Sequence, residues 1–194
     1  MKTIVSSLSA LALFATCMAA QDANAPHKAP ELAFTIPGQG QKLLSQYRGK
    51  VVALEFILTT CPHCQAASKV MTKIQQEYGG KGFQALDVAI NTADESVVQA
   101  FARNFEVGFP VGYTPQDQAM TFMGFSMADR FVLPQLILID RKGNIHYQTP
   151  PLGDANSTKE DTIRQRIEEL LSLGNSASKH GGAPASVAVA KRSS

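Results

Sequence analysis

The chain has 194 residues, of which 44% are hydrophobic and 18% charged, and a formal charge of +2. That is enough for one domain of ordinary size plus tails. It excludes collagen-like and strongly disordered chains, and it offers no basic surface for nucleic acid. The surplus bases lie at the end. Residues 173–194 carry Lys179, Lys191 and Arg192 with no acid, residues 1–25 balance Lys2 against Asp22, and the segment between holds one more acid than base.

The chain opens with Met1-Lys2, an apolar stretch over 4–14 diluted by serines, then small residues over 15–25. This is the build of a secretory signal, with cleavage expected within about 19–25. The apolar stretch is too short to cross a bilayer, which takes roughly 20 residues, and nothing later is long and apolar enough. A lipidated Cys17 is a second reading, which Phe14 and Thr16 fit poorly. The expectation is an exported, periplasmic or otherwise extracytoplasmic protein with no membrane span in its mature form. Losing the signal removes Cys17 and leaves Cys61 and Cys64. A pair so close together constrains the unfolded chain too little to act as a structural staple, so it serves chemistry or metal.

After a short linker over 24–30, elements alternate. Residues 51–58 form an apolar, β-rich run suited to a strand buried on both faces, with Glu55 the one charge inside it. Ala67, Val70, Met71, Ile74 and Tyr78 then recur at helical spacing against Lys69, Lys73, Gln76 and Glu77, and Gly79-Gly80 stops the helix. A second strand is expected over 83–90. Thr92-Ala93-Asp94-Glu95 reads as a capping box opening a helix with Val97, Val98 and Phe101 on one face. Residues 136–140 and 145–148 read as antiparallel strands around the turn Arg141-Lys142-Gly143-Asn144. A last helix starts at Ser157 with Glu160 three residues on, buries Ile163, Ile167, Leu170 and Leu171, and ends at Gly174. The order β-α-β-α-β-β-α predicts an α/β domain over 26–172, a mixed sheet with helices on both faces. From residue 173 the chain turns to Ser, Gly, Ala and Pro, which bury too little to order it, so 173–194 is expected to be a disordered tail.

The run Cys61-Pro62-His63-Cys64 stands where the first strand enters the first helix. Cysteines at i and i+3 on a helix share a face and are close enough to form a disulfide. Pro62 suits the first turn, where a missing N–H costs nothing. Cys61, at the helix end, has unpaired N–H groups and the positive dipole end to favour its thiolate, so it is expected to attack. Cys64, one turn deeper, is expected to resolve the mixed disulfide. His63, when protonated, adds positive charge beside Cys61 and makes the disulfide more oxidising; its blander reading is a solvated loop residue.

These features, with Leu133-Pro134 just before the strand over 136–140, resemble the thioredoxin fold. Leu44-Ser45-Gln46-Tyr47-Arg48-Gly49-Lys50-Val51-Val52, Phe109-Pro110-Val111 and Leu138-Ile139-Asp140-Arg141-Lys142-Gly143-Asn144-Ile145 look like the TlpA/ResA branch of exported thioredoxins, related to the peroxiredoxin-like redoxins. The resemblance covers roughly residues 31–172. It implies a thiol–disulfide oxidoreductase acting on protein thiols or disulfides, recycled by another redox protein, with no cofactor beyond the Cys61–Cys64 disulfide. A monomer is expected. It implies that Pro134 is cis and faces the disulfide. It also implies that Glu55, six residues before Cys61, is a buried acid that helps deprotonate Cys64; a structural ion pair with a lysine is the alternative. Two departures stand out. Thr59-Thr60 precedes Cys61 where these branches carry tryptophan, and Leu58 occupies the position at which peroxiredoxins need threonine.

The direction of exchange stays open. TlpA-like relatives mostly reduce, whereas Cys-Pro-His-Cys is the motif of the oxidant DsbA; potentials span from about −270 mV in thioredoxin to about −120 mV in DsbA. DsbA carries a large helical insertion, and only one convincing helix is expected between residues 81 and 122. The competing functions are a redoxin-type antioxidant protein and a copper carrier using Cys61 and Cys64 with a histidine such as His146 and nearby methionines. The Met/Phe cluster over 120–131, with Met123, Phe125 and Met127, is either core or an adaptable groove for clients.

Overall fold

The computed structural model describes residues 25–178 except Met127, Ala155, Ser157 and Thr158, and only the backbone of 174–178. The signal segment with Cys17, residues 179–194, Met127 and the Ser157 cap therefore lie outside the described residues.

The centre of the fold is β4 (Val51–Ile57), in which all seven residues are buried. Its apolar, largely branched side chains suit a strand covered on both faces. It pairs in parallel with β5 (Phe83–Ala89) and antiparallel with β7 (Gln135–Ile139). Outside β7 lie β8 (Asn144–Gln148) and the short β1 (His27–Lys28). Outside β5 lie β6 (Val111–Tyr113) and a hairpin of β2 (Ala33–Ile36) and β3 (Gly40–Leu43). The sheet is mixed, as expected, with order β1-β8-β7-β4-β5-β6-β2-β3.

Alternation along the strands sorts two cores. Val52, Leu54 and Phe56 pack with Leu86 and Val88 against the hairpin residues Phe34 and Ile36 and against α3 (Gln116–Met123). Val51 and Ala53 face the other way, toward α1 (Pro62–Tyr78) and α4 (Glu160–Ser178). Ile57 and Ala89 on that same face meet α2 (Glu95–Asn104) through Val98 and Phe101. Glu55 shares the α1 side by the same two-residue period.

Several sequence expectations shift. The cap of α2 is Asp94, whose carboxylate accepts from the Ser96 amide at 2.8 Å, while Thr92 Oγ1 accepts from the Asp94 amide at 3.0 Å. The helix thus begins three residues after Thr92. α4 begins at Glu160 and continues past Gly174 to Ser178. A second helix, α3, lies between residues 81 and 122 in part; its eight residues open with the polar Gln116-Asp117-Gln118 after Pro115, which hid it. Three-residue β6 and the β2–β3 hairpin were equally illegible, because strands this short carry no periodicity.

α3 also decides much of the Met/Phe question. Ala119, Met120, Phe122 and Met123 are buried, so this half of the cluster is core. Phe125 and Phe131 pair at 5.5 Å between ring centres on the rim of that core, and Phe125 borders an open apolar groove of ≈ 700 Å³ with Pro150, Pro151 and Leu152.

Candidate active site

The site forms where β4 ends and α1 starts. Cys61 is the cap of α1: its backbone is extended, and its sulfur accepts from the Cys64 amide at 3.4 Å. Pro62 takes the first helical position. The strand-to-helix turn is braced from β5's far end, where Asn91 Oδ1 accepts from the Thr59 amide and Asn91 Nδ2 donates to Thr59 Oγ1, both at 3.0 Å. Gln65 Nε2 donates to the Thr59 carbonyl at 3.2 Å.

Both cysteines are free thiols, Cys61 half-buried and Cys64 fully buried. The Leu133–Pro134 peptide bond is cis, and the Leu133 carbonyl lies 4.0 Å from Cys61 Sγ. Its loop is held by the buried Gln135, whose amide donates to the Val132, Pro150 and Pro151 carbonyls at 2.9–3.4 Å. Cys61 therefore faces solvent beside an ordered backbone edge. His63 is exposed on the first turn and makes no hydrogen bond among the described residues.

Beneath Cys64 the interior is acidic. Glu55 is 2% exposed and Asp87 1%; they stand opposite each other on the parallel strands β4 and β5. Ser68, on α1 one turn after Cys64, lies with Oγ 2.5 Å from Asp87 Oδ2 and 3.0 Å from the Cys64 carbonyl. Glu55 Oε2 and Asp87 Oδ1 are buried without a hydrogen-bond partner. Burial, and then the charge and hydrogen bonding of Asp87, raise the Glu55 carboxyl well above its ordinary range. Burial likewise pushes Asp87 up to about 7, against hydrogen bonds from Ser68 and Glu55 that lower it. Burial is also the main reason the Cys64 thiol is raised, with further contributions from Cys61 and from the Glu55 charge.

The structure thus brings together Cys61, Cys64, Glu55 and Pro134, with His63 on the rim. Among the described residues no lysine faces Glu55; the facing group is Asp87. Nor does the structure bring His146 to the thiols. His146 bonds Asp140 at 3.0 Å beyond the β7 residue that pairs with Val52, at the end of β4 remote from Cys61. Among the described residues no group of three or more His, Cys, Asp or Glu is placed to hold a metal ion.

Residues 25–148 match the AhpC/TSA family. The chain belongs to that family. It is 31% identical over 128 residues to the thiol-disulfide oxidoreductase ResA of Geobacillus thermodenitrificans, covering 66% of this chain and 67% of that one. ResA of Geobacillus kaustophilus is 29% identical over 143 residues, 73% of this chain and 75% of its own. Among solved structures, a candidate thiol:disulfide interchange protein DsbE from Chlorobium tepidum superposes with a TM-score of 0.64 at 27% identity, over 75% of this chain and 96% of its own. The fold is thioredoxin-like, and the activity class is protein thiol–disulfide oxidoreductase.

Two candidate residues escaped sequence reading. Asp87 is the one acid in the strand over 83–90, the same signal that drew attention to Glu55, but only the pairing of β4 with β5 sets the two face to face. Ser68 carries no signal of its own; a hydroxyl in a helix is ordinary until its face is known.

The acids bear on stability. The folded state keeps their protons to higher pH than the unfolded chain, whose carboxyls ionise near 4. Stability therefore falls as pH rises from about 4 through the raised range of the two acids, which for Asp87 reaches about 7. Asp87→Asn removes this penalty. Its stability relative to the parent, read as the difference in unfolding free energy measured in urea, is expected to increase from pH 4.5 to 7.5; a constant difference would contradict the raised carboxyl.

Proposed function

We propose that this protein is an extracytoplasmic oxidoreductase that exchanges a Cys61–Cys64 disulfide with protein thiols. The observation that carries the reading is the unequal placement of the two sulfurs. Cys61 is half-exposed at the helix end beside the Leu133 carbonyl, and Cys64 is fully buried one turn deeper, against the sheet face that Glu55 shares.

Exchange proceeds by a thiolate attacking a disulfide sulfur. A client reaches only Cys61, whose sulfur receives the Cys64 N–H and stands at the positive end of the α1 dipole, which favours the negative charge it carries during exchange. The cis-Pro134 loop offers the client chain a backbone edge. Once the client is joined to Cys61, Cys64 attacks the Cys61 sulfur, the intermolecular bond breaks, and the client leaves reduced. Because the Cys64 thiol is raised by burial, this step needs a proton acceptor at hand, and Glu55 is the general base. Run backward, the same steps oxidise a client. His63, exposed beside Cys61, biases the balance toward oxidation when protonated, as a DsbA-type Cys-Pro-His-Cys site would. Export rests on the signal-like residues 1–25, cleaved within about 19–25.

Cys64→Ser is expected to accumulate mixed disulfides through Cys61, resolved on non-reducing gels; capture by Cys64 in a Cys61→Ser variant would reverse the roles. Replacing the histidine, His63→Pro, is expected to lower the reduction potential measured by glutathione equilibration. An unchanged potential would reduce His63 to a solvated residue. Mass analysis of chain recovered from outside the cytoplasm is expected to show a new N-terminus after a residue between 19 and 25, and an intact Met1 there would remove the signal.

A further inference from the structure

The buried acids are more than one acid with a neighbour. Glu55 and Asp87 occupy register positions on adjacent parallel strands and project to the same face. The elements packed over that face bring them no compensating charge among the described residues. α1 brings Cys64 and Ser68, and its lysines Lys69 and Lys73 lie on the exposed side. β7 sets Leu136 opposite Glu55, and β6 sets Val111 opposite Asp87. α2 brings Val98 and Phe101, and α4 brings Ile163 and Ile167. Among the described residues, no cation faces either carboxyl.

Two carboxyls this close in an apolar interior cannot both ionise; the first charge opposes the second, and one proton is retained between them. Each also has a buried oxygen with no hydrogen-bond partner, Glu55 Oε2 and Asp87 Oδ1, an arrangement that penalises a permanently charged carboxylate. Ser68 ties the pair to the thiol's helix. A hydroxyl has one proton, yet Ser68 Oγ is 2.5 Å from Asp87 Oδ2 and 3.0 Å from the Cys64 carbonyl, and both are acceptors when Asp87 is ionised. A protonated Asp87 resolves this: it donates to Ser68, which donates to Cys64. An ionised Asp87 instead accepts the hydrogen bond of the Ser68 hydroxyl.

We infer that Glu55 and Asp87 hold one proton in common as a single acid–base unit, and that this unit, rather than Glu55 alone, exchanges the proton of Cys64. The inference rests on Cys64 being the resolving thiol. In the resolving step the Cys64 S–H gives its proton to the singly ionised pair, which then holds two. The Cys64 thiolate attacks the Cys61 sulfur, the Cys61–Cys64 bond forms, the Cys61–client bond breaks, and the client thiolate leaves with its electron pair. In the reverse direction the pair returns the proton to Cys64. Cys64 packs with Ile57, the next residue of β4 on the face of Glu55, so Glu55 is the nearer member along that strand, and its charge raises the thiol. Asp87 is a positioning residue that sets when Glu55 is free to accept.

The test needs no variant to begin. Carbon-13 spectra of the reduced full chain, followed against pH, are expected to show the Glu55 side-chain carboxyl carbon and that of Asp87 each titrating in the same two steps, separated by about one pH unit or more. In Asp87→Asn the Glu55 carbon is expected to titrate once. A nitrobenzoate disulfide supplies the kinetic readout, since its first thiolate release reports Cys61 attack and its second reports Cys64 attack. The second release is expected to follow the lower midpoint in the parent and the single Glu55 midpoint in the variant, with the first release unmoved. Independent single titrations in the parent would overturn the shared proton. A second-release pH profile identical in Asp87→Asn would overturn its part in the reaction. Client capture by Cys64 in Cys61→Ser would instead overturn the cysteine roles while leaving the carbon titrations as they are.

Discussion

The hydrogen bond from the Cys64 amide to the Cys61 sulfur is the contact around which the rest of the molecule is arranged. It requires a helix that begins at Pro62 and a strand that delivers Cys61 to its end in extended conformation. β4 meets that requirement because it is buried along its whole length between β5 and β7, so its last residue cannot drift. The Asn91–Thr59 pair and the Gln65 side chain hold the turn between. One sulfur is thereby placed at the rim of the fold and the other inside it.

Such burial has an electrostatic consequence. An apolar sheet that carries two acids on one face is unfavourable for charge, and burial raises both carboxyls while no lysine among the described residues faces them. The acids sit under the turn of α1 that carries Cys64 and Ser68. A pair of alanines would pack more simply at those positions, and a lysine opposite Glu55 would keep it ionised. The local arrangement favours a group that can change its protonation over one whose charge is fixed.

The rim beside Cys61 follows a different logic. The Leu133–Pro134 loop is positioned by backbone acceptors converging on buried Gln135, and it joins the groove edged by Pro150, Pro151 and Leu152 through the Val132 amide, which donates to the Pro151 carbonyl at 2.8 Å. The absence of tryptophan before Cys61, where Thr60 stands exposed, leaves this rim polar and low.

The sequence by itself determined the α/β order, the central strand, the thiol pair at a helix N-terminus, Glu55 as an anomaly in an apolar run, and Pro134 ahead of a core strand. These are all local: they are written in periodicity, composition and spacing, which neighbours along the chain supply. Only the tertiary structure decided that Glu55 faces Asp87, that Ser68 bridges Asp87 to the Cys64 backbone, that Gln135 braces the cis loop, and that His146 lies at the remote end of β4. Each depends on strand register and on which face of a helix meets which face of the sheet. A single residue of slip would turn Asp87 into the opposite core, and no stretch of sequence around residue 87 records that choice.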